Sequence, residues 1–290
     1  MANETATTSL NDLIHSEAIE QIVLGANRPA AIYRAIAWMR DASKAMSGVY
    51  KFPKWDKTDI PAGVKTEGTG TFTTVEQTTS GSNATAGVVG MGRVITEEAM
   101  QDSGKGLADM IVLAEEAGAE RITKDLVGLF TSATNTYNFG NNEFTLTGWG
   151  TGKAQFKALN PRGSRLAFVG SVAAMRGLEA DLRTTGAQIL ANPLYMNGEI
   201  FMQPGQGFKG FFEGYEIYET ALCPDNDADT ISSAFCVVGD QGALGLAVWF
   251  PFKHVPKEAP ENANMELYTY ARYAVAITNQ SNLLEVITND

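Results

Sequence analysis

Few residues in this chain could do chemistry, and their spacing keeps them apart. There are two histidines, His15 and His254, and two cysteines, Cys223 and Cys236. A zinc site draws on Cys and His brought in by closely spaced pairs, and neither histidine stands in such spacing with either cysteine. No metal ligand set is predicted, and both histidines read as exposed or incidental. One cysteine pair defines no disulfide framework, so a reduced compartment is the simpler expectation.

Gly148-Trp149-Gly150-Thr151-Gly152-Lys153 invites a phosphate-loop reading. Such a loop needs a glycine five residues before Gly152, and Thr147 stands there. A loop ahead of a helix is the expectation instead. Gly87, Gly90 and Gly92 miss the dinucleotide spacing and read as places where one backbone passes close to another. No Gly-x-Ser-x-Gly elbow is present to anchor a hydrolase triad. Glu97/Glu98 and Glu115/Glu116 are adjacent pairs. Neighbours on a helix point apart, so both pairs read as solvated helix faces and not as paired acid and base. Lys57 and Lys65 could join an isopeptide cross-link only beside an asparagine and a buried carboxylate, and ordinary surface residues are the simpler reading. No catalytic residue, cofactor or metal is predicted.

The 290 residues carry 33 acidic and 22 basic side chains, for a net charge of −11. Gripping phosphates requires clustered Lys and Arg, and no cluster occurs, so sequence-specific nucleic-acid binding is not expected. The longest apolar run, 243–252, is interrupted by Gly245 and Pro251 and is too short to cross a bilayer. The first residues lack a basic stretch followed by an apolar one, so no signal peptide is expected.

The elements that would position any site follow from periodicity. Leu10, Leu13, Ile14, Ile19, Ile22 and Val23 recur at helical spacing after a possible Ser9 cap. A second amphipathic stretch over 28–46 places Ile32, Ala35, Ile36 and Met39 on one side, with Pro29 suited to its first turn. Val49–Trp55 reads as a strand that Pro53 keeps at an edge. From Asp56 to Gly90 there are nine threonines and six glycines. Such a segment buries too little to make its own core. Thr71–Glu76 and Ala84–Ile95 nevertheless have strand-forming residues, and 79–83 between them has turn chemistry. The expectation is a two-stranded arm, which is marginal alone in water and must lie on something.

Thr96–Ser103 predicts a short helix with acids in its first turn. Leu107 to about Thr131 is the strongest helical pattern, with Leu107, Met110, Ile111, Ala114, Ala117, Ile122, Leu126, Leu129 and Phe130 in one stripe. Arg165–Val169 reads as a buried strand. Ser171 caps a helix to about Thr184, with Val172, Met175, Leu178 and Leu182 inward. A glycine-rich loop is expected over 198–214, then strands at Tyr215–Leu222 and Ala234–Val238, and a short helix from an Asp240 cap through Leu246. Met265 to Ile277 alternates as one long strand, 279–282 turns, and Leu283–Ile287 returns.

This order resembles the major capsid protein of tailed double-stranded DNA bacteriophages, the Hong Kong 97 phage-like fold. The resemblance rests on the element order and on the segment Val94-Ile95-Thr96-Glu97-Glu98-Ala99-Met100-Gln101-Asp102-Ser103 leading into the long helix. It implies an α+β chain with residues 1–48 as an N-terminal arm and 56–92 as an extended loop. Residues 49–55, 93–150 and 251–282 would form a peripheral domain with a spine helix, and 151–250 and 283–290 an axial domain. By the same resemblance, the chain would assemble with itself into pentamers and hexamers of an icosahedral virion shell, formed in the host cytoplasm. Lys65, Phe72, Val75, Gly87, Gly90 and Gly92 would serve the extended loop and its root, and Leu107, Ile111, Ile122, Leu126 and Phe130 the spine helix. The partners implied are a scaffolding protein, a portal and decoration proteins, with DNA enclosed but not read. The acidic balance suits a wall that must not stick to DNA. Fewer than about fifty residues precede the edge strand, which implies a separate scaffold or none. The competing expectations are an encapsulin-like nanocompartment shell, a soluble α+β enzyme, or another virion or surface-layer protein.

Overall fold

A computed structural model describes residues 32–45, 47–55, 79–96, 107–139, 142–185, 207–227, 229–259 and 264–289. Four expectations lie outside these ranges: the helix after Ser9, the Pro29 turn, the Thr71–Glu76 strand and the helix after Thr96. So do His15, Lys57, Lys65, Phe72 and Val75.

The described chain forms two sheets and a separate ribbon. The first sheet has the order β1-β11-β12-β4: β1 (Ala37–Asp41), β11 (Leu244–Ala259), β12 (Asn264–Ile277) and β4 (Gly87–Thr96). The ribbon pairs β2 (Val49–Trp55) with β3 (Thr79–Thr85). The second sheet runs β5-β13-β10-β6-β8-β7, with β9 (Asp225–Asp227) beside β10. Its strands are β5 (Thr136–Asn138), β6 (Arg165–Gly170), β7 (Phe208–Phe212), β8 (Tyr215–Glu219), β10 (Thr230–Val238) and β13 (Leu283–Asn289).

Four helices complete the described chain. The short α1 (Tyr33–Ile36) precedes β1, and α2 (Leu107–Val127) lies on the first sheet. The helices α3 (Leu146–Ala158) and α4 (Val172–Thr185) flank the second sheet, sharing one apolar cluster with it. At about 1.5 Å per residue α2 is about 31 Å long. It continues as a tighter turn over Gly128–Ser132, so the expected helix to Thr131 changes character after Val127. Met110, Ile111, Ala114, Ile122, Leu126 and Phe130 are buried, while Ala117 and Leu129 of the same stripe are half-buried.

Several local expectations give way to tertiary pairing. The stretch 28–46 is not one helix: after α1 the chain extends as β1, parallel to β11. Residues 79–83 are not a turn. They are strand, paired with β2, because an extended partner satisfies their backbone better than a local turn would. Gly148–Lys153 lies within α3 and not ahead of it. Thr145 caps that helix, accepting from the Gly148 N–H at 3.3 Å. Gly152 belongs there because a Cβ would stand 2.8 Å from the Phe235 ring. The expected loop over 198–214 contains β7, joined to β8 by Glu213 and Gly214 at φ 47° and 86°. That left-handed pair is the two-residue hairpin geometry that tolerates glycine best. Asp240 starts no helix; Gly239–Gly242 turns directly into β11. Val172 is half exposed at 49 %, not inward, while Met175, Leu178 and Leu182 are buried. Ser171 caps α4 as expected, accepting from Ala174 N–H at 3.0 Å. The chain leaves the second sheet at 239–243, ahead of residue 250. Leu283–Asn289 does not fold back on β12 but joins β10 and β5 of the second sheet.

Candidate assembly surfaces

The second sheet buries its centre within its own chain. All nine residues of β10 are buried. Beside it Trp149 sits among Phe168, Phe212, Tyr215 and Phe235, with ring centroids 5.0–5.7 Å away. Such tilted and edge contacts each add about 0.5–1.5 kcal/mol beyond the area they bury. The Trp149 indole N–H donates to Glu213 at 2.9 Å, and Lys153 binds the same carboxylate. Burial pushes the Glu213 carboxyl up, but the bonds from Lys153 and Trp149 outweigh it and hold it below the ordinary range. Glu216 behaves alike: burial raises it, while Arg165 and the Tyr218 hydroxyl, both donating at 2.7 Å, bring it below. Glu285, 3 % exposed, is satisfied by Ser232 at 2.6 Å and Thr136 at 3.1 Å, which ties β13 to both neighbours.

The first sheet has one finished face and one open face. Leu267, Thr269, Ala271 and Tyr273 of β12 are buried on the side of α2. The Tyr273 hydroxyl donates to Asp125 at 2.6 Å, and Arg121 pairs with Asp125 at 3.0 Å. His254 is neither exposed nor incidental. Its ring bridges Thr269, at 2.9 Å, and the Glu115 carboxylate of α2. Glu115 is therefore no solvated face; it fastens the helix to the sheet. Nearby, Gly118 admits the Phe252 ring so closely that a Cβ would lie 2.6 Å from it.

Side chains alternate along a strand, so Glu266, Tyr268 and Tyr270 turn to the other face. Beside them in register stand Val94, Gly92 and Gly90 of β4, and Lys257, Val255 and Lys253 of β11. Near the root of the ribbon this face is covered, where Ala247, Trp249 and Ala274 meet Phe52 and Ala84. Farther along it is open: Val88 is 68 % exposed and Val94 61 %, with Val255 and Tyr268 also exposed. β4 is the edge of this sheet, ten residues without proline and with Arg93 its single charge. Natural edge strands of that length are usually blunted or covered.

Of the residues proposed for the loop root, Gly90 passes close to β12. A Cβ there would meet Thr269 O and Tyr270 Cβ at 2.9 Å, and at Gly92 the Tyr268 ring at 3.2 Å. Gly87 has open space around it, so no close approach demands glycine there. Sequence reading missed the open face. Its signal was the absence of clean alternation in β4, where Val88, Val89, Met91, Val94 and Ile95 fall on both sides.

No metal-holding group of His, Cys, Asp or Glu occurs among the described residues. Both cysteines are buried and free; burial and then Glu216 push the Cys236 thiol up to about 12. No described helix is long and apolar enough to cross a membrane.

No protein-family model and no curated protein matches the chain. Solved structures do match. The capsid asymmetric unit of cyanophage Pam1 is 13 % identical, over 88 % of this chain and 88 % of that one, with a TM-score of 0.63. The head structure of Helicobacter pylori bacteriophage KHP40 is 10 % identical, over 89 % of each chain, at 0.63. A chain of Mycobacterium phage Bobi is 13 % identical, over 98 % of this chain and 99 % of that one, at 0.59. Likeness this weak in sequence and this complete in space concerns the fold: the chain has the α+β architecture of phage capsid proteins, the Hong Kong 97 phage-like fold.

Proposed function

We propose that this protein is the structural subunit of an icosahedral phage head, assembling with itself into pentamers and hexamers that enclose double-stranded DNA. The observation that carries the reading is end-to-end likeness to phage capsid and head structures, joined to a sheet face and edge that the described residues leave open. In this reading neighbouring copies cover β4 and the face around Val88 and Val94. The residues between β2 and β3 are the extended loop, shorter than the expected 56–92 because β3 pairs with β2 and β4 with β12, and the residues ahead of β1 are the arm, shorter than the expected 1–48 because β1 joins the first sheet. The first sheet with α2 is the peripheral domain, and the second sheet is the axial domain. Many modest contacts closed by symmetry then give a stable shell. The protein acts as a wall and not as an enzyme, in the virion after assembly in the host cytoplasm, alongside a scaffold, a portal and any decoration proteins.

Electron microscopy of the purified full-length protein tests this. Icosahedral shells are expected, and in infected cells shells holding DNA. Small monodisperse oligomers would contradict the reading, and shells filled with cargo protein would shift it to a nanocompartment.

A further inference from the structure

The edge strand β4 is nearly symmetric about Met91. Glycines, Gly90 and Gly92, stand one residue to either side of it, and valines, Val88 and Val94, three residues to either side. Val88, Met91 and Val94 are also the large apolar side chains that β4 exposes, while Val89 and Ile95 are half-buried. No described strand pairs with the outer edge of β4, and no proline or acidic side chain blunts it.

A symmetric edge is complementary to a second copy of itself. Two strands set side by side by a two-fold axis run antiparallel, with the axis normal to the sheet, so each face stays on its own side. Successive residues alternate faces, and opposed residues must therefore belong to the same face. With the axis at Met91 this holds throughout. Met91 opposes the partner's Met91, Gly90 the partner's Gly92, and Val88 the partner's Val94. Arg93, the one charge, opposes Val89 and not a second Arg93; its guanidinium is turned to its own α2, donating to Leu113 O at 3.3 Å. An axis at Gly92 would set Met91 against Arg93, Val88 against Thr96 and Val94 against Gly90, leaving none of the exposed three against another.

The glycines make room on the open face. Tyr270 stands beside Gly90 in register, and Tyr268 beside Gly92. Each Gly90–Gly92 pair across the seam thus lies between Tyr270 of one copy and Tyr268 of the other. The Tyr268 ring already leans on Gly92, where a Cβ would meet it at 3.2 Å. Rings resting on edge glycines shield the backbone there, and tyrosines from both copies can close over the seam.

We propose that two copies join through β4, antiparallel about a two-fold axis at Met91, so that their four-stranded sheets become one. The inference rests on the shell reading above for its setting, a two-fold axis between subunits of the shell. A covering segment of unlike sequence would give β4 no reason to be symmetric.

Cysteine cross-linking of the full-length chain tests this. Opposed residues of an antiparallel pair have Cα atoms about 4.5–5.5 Å apart. A disulfide spans about 4.4–6.8 Å between Cα atoms. Cys223 and Cys236 are buried, so the native thiols add no background. Val88, Met91 and Val94 are exposed, so their replacement should leave the subunit folded. Met91→Cys should give disulfide-linked dimers on air oxidation. Val88→Cys and Val94→Cys should each stay unlinked alone and form dimers when assembled together. Met91→Cys that stays unlinked overturns the proposal, and where shells still form it leaves the capsid reading standing. Val88→Cys that links to itself as readily as to Val94→Cys overturns it too, because the register is then different. Met91→Cys dimers from a protein that forms no shells uphold the contact and contradict the capsid reading instead.

Discussion

β10 and β4 occupy opposite extremes of one chain. β10 has nine residues, all buried, with strands on both sides and Phe235 in the aromatic cluster. β4 has ten residues, none buried, and one of its edges carries no partner among the described strands. The first region is buried within the chain's own packing. The second has the hydrogen-bonding groups and apolar side chains of an interior strand, yet shows them outward. Among the described residues the second sheet has a complete core, while the first is covered along one face and only part of the other.

The comparison breaks first at the core. Trp149→Ala removes the hub of the aromatic cluster and the N–H that serves Glu213. It should cost about 3–5 kcal/mol of subunit stability, read as a fall in the urea midpoint. A small loss would mean that the second sheet is not the self-sufficient unit described. Gly118→Val comes next. Its side chain must displace the Phe252 ring and lift α2 from the sheet, costing about 1–3 kcal/mol. Heat denaturation followed by circular dichroism checks this, and an unchanged midpoint would remove Gly118 from the helix–sheet seam.

Acid should act through the second sheet. Glu216 is held below its ordinary value of 4.5, so its contribution is complete above that value and is lost as pH falls through the lower, folded one. Urea midpoints between about pH 6 and about pH 3.5 should fall less steeply in Glu216→Gln than in the native chain. Identical slopes would place the acid sensitivity elsewhere. The smallest effect on the subunit should come from Val88→Asp with Val94→Asp. Both side chains are already solvated, so stability should stay within about 0.5 kcal/mol. Sedimentation should nevertheless show shell formation lost. Normal shells from that variant would leave the open face without a role.

The sequence made the regular parts legible. The α2 stripe from Met110 to Phe130, the Ser171 cap and the long alternation in β12 all carry their own periodicity. What stayed hidden was decided by distant partners. Thr79–Asn83 has the residues of a turn, yet pairs with Val49–Trp55 far back in the chain. Leu283–Asn289 reads by its residues as a strand returning after a turn, and only the resemblance set it apart from β12, with the second-sheet strands that it joins. Asp240 resembles a cap, yet Gly242 must turn tightly there, since a Cβ would stand 2.8 Å from two backbone oxygens. His254 looked isolated because Glu115 and Thr269 reach it only through the fold. The open face left one signal, the lack of clean alternation in β4, which does not by itself tell an unfinished strand from an interior one until its neighbours are known.

Hydrogen exchange read by mass spectrometry, on the same chain as dissociated subunit and as assembled shell, tests the account most directly. It predicts that amides of 230–238 are equally protected in both, while those of 87–96 slow by at least about tenfold in the shell. Exchange at 87–96 that is the same in both states would contradict it.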